Sequence, residues 1–165
     1  MPGPATDAED ATPRVMTKAD RVVLRKIISW RNSTWRWQDV MLKPRTPYAG
    51  TVETSTSPQF RRWVLSVWER RAKHAWRKAQ RPPHYDEWLC IHEYEGSWTD
   101  PNAPYYGGLQ MDLSFQRAYG APLLEDKGTA DHWSPLEQMW VAERAHASGR
   151  GFYPWPNTAR YCNLL

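Results

Sequence analysis

Cysteine is scarce in this chain. There are two in 165 residues, Cys90 and Cys162, and a pair 72 positions apart cannot form a zinc knuckle. Histidine offers no better metal signal. His92-Glu93 could open an HExxH zinc helix, but Gly96 stands where the second histidine would be required. His74, His84, His132 and His146 show no ligand spacing among themselves, so neither a metal nor a cofactor is expected. No apolar run approaches transmembrane length, and there is no Gly-rich phosphate loop, no Gly-x-Ser-x-Gly elbow and no internal repeat. Phenylalanine is rare too, three against eleven Trp and eight Tyr. The opening MPGPATDAEDATPR contains no apolar core of seven or more residues, so no signal peptide is read there. Residues 1–16 read instead as a disordered tail.

What is present is unevenly distributed. Residues 1–85 hold 17 Lys and Arg against 7 Asp and Glu, a net +10, whereas residues 86–165 hold 5 against 11, a net −6. A basic arm attached to an acidic domain suggests attraction to a polyanion, or docking of one half on the other. An anionic wall polymer such as teichoic acid and an anionic membrane surface both fit. Nucleic acid is not expected, because the acidic half opposes it. The excess of Trp and Tyr suits carbohydrate binding, since such rings stack on sugar C–H faces while their polar edges hydrogen-bond. Most tryptophans of the N-terminal half are assigned to packing.

The periodicity predicts a mainly α chain. Thr17-Lys18-Ala19-Asp20 has the form of a capping box, followed by Val23, Ile27 and Trp30 at helical spacing. An interruption is expected at Asn32-Ser33, with a second helical stretch over 35–42. Residues 43–58 read as a loop. Ser57-Pro58 opens the clearest helix, with Phe60, Trp63, Val64, Val67, Trp68, Ala72, Ala75 and Trp76 as one apolar stripe and Arg61, Arg62, Arg70, Arg71, Lys73, Arg77 and Lys78 opposite. Residues 17–83 therefore form a basic, Trp- and Arg-rich helical hairpin that ends at Pro82-Pro83. A helix over 84–95 follows, then a turn-rich segment over 96–112 with two or three short strands. Leu113 to Tyr119 forms a short helix stopped by Gly120, residues 121–133 a loop, and Ser134-Pro135-Leu136-Glu137 starts a helix to about Ser148. Phe152-Tyr153-Pro154-Trp155-Pro156 reads as a rigid aromatic turn leading to Cys162.

The stretch with most chemical content is CIHEYEGSWTDPNAPYYGGLQMD, Cys90 to Asp112. A helix ending in a glutamate faces an aromatic and glycine run, in which the glycines would let a glycan approach the backbone closely. The helix ending in Glu followed by Gly96-Ser97-Trp98, then Tyr106-Gly107-Gly108-Leu109-Gln110, then Ser134-Pro135-Leu136-Glu137-Gln138 and Trp155-Pro156 with a cysteine soon after, resembles the lysozyme-like catalytic domain of the resuscitation-promoting factors and of the wider lytic transglycosylases. The resemblance covers residues from about 84 to 165. It implies an α+β lysozyme-like domain there, cleavage of the peptidoglycan glycan strand, a disulfide between Cys90 and Cys162, and an extracellular or wall-associated location, although no export route is read from the sequence. Two buried free thiols are the other reading of the cysteines.

Such cleavage needs a carboxylic acid at the glycosidic oxygen, kept protonated by apolar neighbours. A lytic transglycosylase uses the same group next as base on the muramic acid 6-hydroxyl, whereas a muramidase usually needs a second carboxylate to activate water. Glu95-Gly96-Ser97-Trp98 has the superfamily spacing, and Cys90 lies on the same helical face as Glu95. An ungapped match to the resuscitation-promoting factor form selects Glu93, five before Trp98. Glu95 is the first choice and Glu93 the alternative. Asp112 is the better placed second carboxylate, Asp100 the other. By the resemblance Gln110 lines the cleft, with Trp98, Tyr105, Tyr106, Gly108 and Trp155 as further substrate contacts. A wall- or polyanion-binding protein without activity is the rival reading.

Overall fold

Thr17 starts the first helix in the way its sequence signal requires. In the computed structural model, which describes residues 15–165, the Thr17 hydroxyl accepts from the Asp20 N–H at 3.1 Å and the Asp20 carboxylate accepts from the Thr17 N–H at 2.9 Å. The expected disordered tail falls outside the described residues except at Val15 and Met16. Helix α1 then runs without a break over Lys18–Val40. The interruption expected at Asn32-Ser33 is absent because the Thr34 hydroxyl folds back onto the Trp30 carbonyl at 2.9 Å and the side chain is buried. The weak helix propensity of three polar residues costs only a few tenths of a kcal/mol each, less than packing against a neighbouring helix returns.

A one-turn helix α2 (Thr51–Thr54) interrupts the expected loop, and Ser57 caps α3 (Pro58–Ala79), accepting from the Phe60 N–H at 3.1 Å. The two long helices run side by side, but not as a hairpin. Arg61 at the start of α3 pairs with Asp20 at the start of α1 at 2.8 Å, and Met41 just past the end of α1 clusters with Ala75 and Ala79 at the end of α3. The helices are therefore parallel, and residues 42–57 return along the outside as a strap. Thr46 is tied to Gln38 and accepts from the Trp35 indole at 2.8 Å, Tyr48 meets Trp68, and Val52 joins Leu24 and Ile27 in the core. A helix of this length spans about 34 Å, which about ten extended residues can retrace.

The buried seam of α3 is Trp68, Ala72, Ala75 and Ala79 together with Arg61. Trp63 and Trp76, expected in the apolar stripe, are 60% and 49% exposed instead. Arg61, expected on the solvated face, is buried and also donates to the Ser55 carbonyl.

The second half is a cluster of shorter helices: α4 (Tyr85–Glu95), α5 (Leu113–Lys127), a 3-10 turn (Ala130–His132), α6 (Pro135–Ala145), a π-helical turn (His146–Arg150) and α7 (Pro156–Tyr161). Trp88, Ile91, Leu109, Met111, Phe115, Met139, Val141 and Trp155 form its core. Of the strands expected over 96–112, one antiparallel bridge, Tyr106 with Met111, is formed. Helix α5 passes through Gly120 with a kink and continues to Lys127, so most of the loop expected over 121–133 is helical. The Cys90–Cys162 disulfide ties α4 to the end of α7. Trp140 of α6 donates its indole N–H to the Ala79 carbonyl at 3.0 Å and packs with Met41 and Ala75, which docks the parallel pair onto the second half.

Candidate functional site

The loop between α4 and α5 takes its shape from a glutamine. Gln138 of α6 is fully buried; its Oε1 accepts from the Gly108 N–H at 2.8 Å, and its Nε2 faces the carbonyls of Trp98, Ala130 and Trp133 at 2.8, 2.9 and 3.0 Å. A buried amide satisfied on both sides holds three segments in one arrangement. Gly107, at φ +73°, lies so close that a Cβ there would stand 2.4 Å from Gln138 Oε1. At Gly108 a Cβ would meet the Trp98 ring at 2.5 Å and His92 Nδ1 at 2.6 Å, and Trp98 itself stacks on His92 with ring centroids 3.9 Å apart. The glycines therefore admit the protein's own side chains. The close approach anticipated for a ligand at Gly108 is taken up by Trp98 and His92.

On the other side of this loop the chain forms a groove. It has two adjoining parts that share Tyr105, Gln110, Pro154 and Trp155; Glu95, Pro156 and Asn157 complete one part, and Met111, Asp112, Ser114, Phe115 and Arg150 the other. Each wall has a local cause. Glu95 is the last residue of α4, half-buried, and its Oε1 accepts from the Thr158 hydroxyl at 2.8 Å. Trp155 is fixed by donating its indole N–H to the Leu109 carbonyl at 2.6 Å and by edge contacts with Trp88 and Phe115. Gln110 adopts a left-handed backbone, φ +50°, and its Nε2 donates to Asp100 Oδ2 at 2.8 Å and the Gly107 carbonyl at 2.9 Å. With those protons used inside the loop, its remaining amide oxygen is an acceptor for a ligand.

Asp112 caps α5. Its Oδ1 accepts from the Phe115 N–H at 2.7 Å and the Ser114 hydroxyl at 2.8 Å, and these bonds, the backbone one first, hold its carboxyl below the ordinary range. Asp100 is held down likewise, first by the Asn102 N–H and then by Gln110. Both are ionised at neutral pH, and Asp112 keeps Oδ2 for the groove. No family model, curated protein or solved structure matches this chain.

Of the residues singled out from sequence, Glu95, Tyr105, Gln110, Asp112 and Trp155 meet in one groove. Glu93 is exposed and outside its walls, Trp98 and Gly108 are engaged as described, and Tyr106 packs on the core. Thr158, Asn157 and Arg150 were not anticipated. Thr158 stands 63 residues from Glu95, and no local pattern joins the two. Among the described residues His84, Glu143 and His146 form a separate group able to hold a metal ion.

Proposed function

We propose that this chain cleaves the MurNAc-β-1,4-GlcNAc strand of peptidoglycan, as a lytic transglycosylase or a muramidase, with Glu95 as its acid. The observation that carries this reading is the placement of Glu95 at the end of a groove walled by Tyr105, Trp155, Pro154 and Pro156, with the Gln110 amide oxygen alongside. The Thr158 hydroxyl pins Oε1, which leaves Oε2 to carry a proton to the glycosidic oxygen. Aromatic and proline surfaces suit the apolar faces of pyranose rings, and polar edges suit their hydroxyls.

In the transglycosylase outcome the Glu95 carboxylate then removes the proton of the muramic acid 6-hydroxyl as that oxygen closes on C1, giving a 1,6-anhydro end. In the muramidase outcome Asp112, ionised and with Oδ2 free of the helix cap, orients or deprotonates water. Arg150 stands at the same end of the groove and offers a cation to the carboxylates of a muramyl peptide. A disulfide-bonded chain that acts on the wall fits an oxidising, extracellular setting.

Incubation with purified peptidoglycan followed by mass spectrometry of the soluble products is the test, because anhydro and hydrolysed ends differ by one water. Glu95→Gln is expected to lower the rate by about 10²–10⁴-fold without unfolding the chain, and Glu93→Gln to leave it unchanged. Binding to wall without any product would replace this reading with that of a wall-binding protein, and full activity in the Glu93→Gln/Glu95→Gln double variant would remove both glutamates as the acid.

A further inference from the structure

Glu143 is 7% exposed, and one of its carboxylate oxygens is already saturated: Oε1 accepts from the His84 backbone N–H at 2.7 Å and the Trp88 indole N–H at 2.8 Å. Its other oxygen, Oε2, faces His84 Nδ1 at 3.0 Å. The His146 ring lies 4.0 Å from the His84 ring, centroid to centroid, half-buried and without a hydrogen bond among the described residues. A donor atom from each of the three side chains lies within 4.8 Å of the other two. We propose that His84, Glu143 and His146 bind one divalent transition-metal ion, with Zn²⁺ as the fitting species.

The local structure explains how the three arrive together. Glu143 and His146 are three residues apart where α6 passes into the π-helical turn, which puts both on one helix face. His84 is the residue just before α4, brought in by its backbone bond to Glu143. Two imidazoles and one carboxylate are a borderline donor set that suits Zn²⁺ over Mg²⁺ or Ca²⁺. Tetrahedral zinc with bonds of about 2.0–2.2 Å holds its ligand atoms roughly 3.3 Å apart, so donors within 4.8 Å of one another have to draw in by at most about 1.5 Å, a matter of side-chain rotation. The Trp88 indole on Oε1 would act as the outer partner that orients a ligating carboxylate. Solvent can supply a fourth ligand, because the His84 side chain is 32% exposed. The cysteines, joined to each other, do not compete. None of the three residues lines the Glu95 groove, so this site stands or falls independently of the proposed cleavage.

Chelator-treated protein titrated with ZnCl₂ by calorimetry, with melting followed in parallel, tests the site. The expected result is saturable binding of one ion per chain and a higher melting temperature with zinc. His146→Ala and Glu143→Gln should each weaken binding at least tenfold. The His146 ring is only half-buried, against Trp88 and Phe152, so that variant should still fold; hydrogen exchange matching the native chain in α4 and α6 identifies it as the folded control. Cobalt in place of zinc should give the intense d–d absorption of a low-coordinate site in the native chain and lose it in His146→Ala. Absence of one-to-one binding in the native chain, or equal affinity in a folded His146→Ala variant, would overturn the proposal and leave His84 and Glu143 as a hydrogen-bonded pair only.

Discussion

Asp20 serves two partners at once. It closes the capping box of α1 through the Thr17 N–H and hydroxyl, and it pairs with the buried Arg61 guanidinium of α3 at 2.8 Å. The Thr17 bonds first, and Arg61 with them, lower its carboxyl from the ordinary 3.8 to about 2. The sign follows directly: a carboxyl with a folded value below its unfolded value stabilises the fold fully above about pH 4, and that stabilisation disappears as the pH falls through about 2. Asp20→Asn should therefore melt below the native chain at pH 7, with the two melting curves converging near pH 2. A difference that stays constant from pH 7 to pH 2 would show that charge at this position is irrelevant. The cap half of this arrangement was legible, because Thr-x-x-Asp before an apolar run has a local mechanism. The Arg61 half was not, since an arginine opposite an apolar stripe has the pattern of a solvated residue until its buried partner, some forty positions earlier, is known. Gln138 is similar: its position was noted, but the carbonyls it gathers come from segments no spacing rule connects.

Helix starts were the readable features at the next scale, because Ser57 and Ser134, like Thr17, are caps followed by proline or an acidic residue. Helix ends were harder, and α5 shows why. Gly120 reads as a stop, yet the helix only bends there, with φ −133° and ψ 27° at Gly120, and resumes through Pro122 to Lys127. The bend has already broken the hydrogen-bond ladder, so Pro122 occupies the first turn of a new segment, where its missing N–H costs little. Leu123 then buries in the core, and Lys127 reaches Glu137 of α6 at 2.8 Å. The reason for glycine is packing: a Cβ at 120 would lie 2.8 Å from Trp133 Cη2 and 3.0 Å from Val141 Cγ2. Gly120→Ala should accordingly lower the unfolding free energy by about 1–3 kcal/mol, the usual cost of overpacking a core. Denaturant unfolding checks it. A neutral or stabilising result would mean that α5 can slide outward and that its kink is not set by Trp133. Helix α7 escaped the sequence reading altogether, since six residues after an aromatic turn carry too little periodicity to declare a helix.

On the scale of the whole chain the sequence was readable in composition but not in arrangement. The mainly α class follows from the caps and the apolar periodicity, whereas the parallel course of α1 and α3 depends on a strap that is tied back to Trp35 and Gln38 of α1 and across to Trp68 of α3 by contacts no periodicity announces. The disulfide is the one long-range link that was expected, and it has a consequence for the groove. Cys162 follows α7, Cys90 lies within α4, and Thr158 of α7 is the residue that holds Glu95. A six-residue helix has no stability of its own, so α7 keeps its place through Ala159 and Trp155 in the core and through this cross-link. A link spanning 72 residues should contribute about 2–4 kcal/mol. Reduction, or the Cys90→Ser/Cys162→Ser double variant, should lower the unfolding free energy obtained from denaturant titration by that amount. It should also raise amide hydrogen exchange in α7 and the last turn of α4, while α1 and α3, packed on their own cluster of Leu24, Ile27, Val52 and Trp68, keep their protection. If exchange in α7 is unchanged on reduction, core packing alone positions Thr158. If protection in α1 and α3 falls equally, the Trp140–Ala79 contact couples the two halves into one cooperative unit.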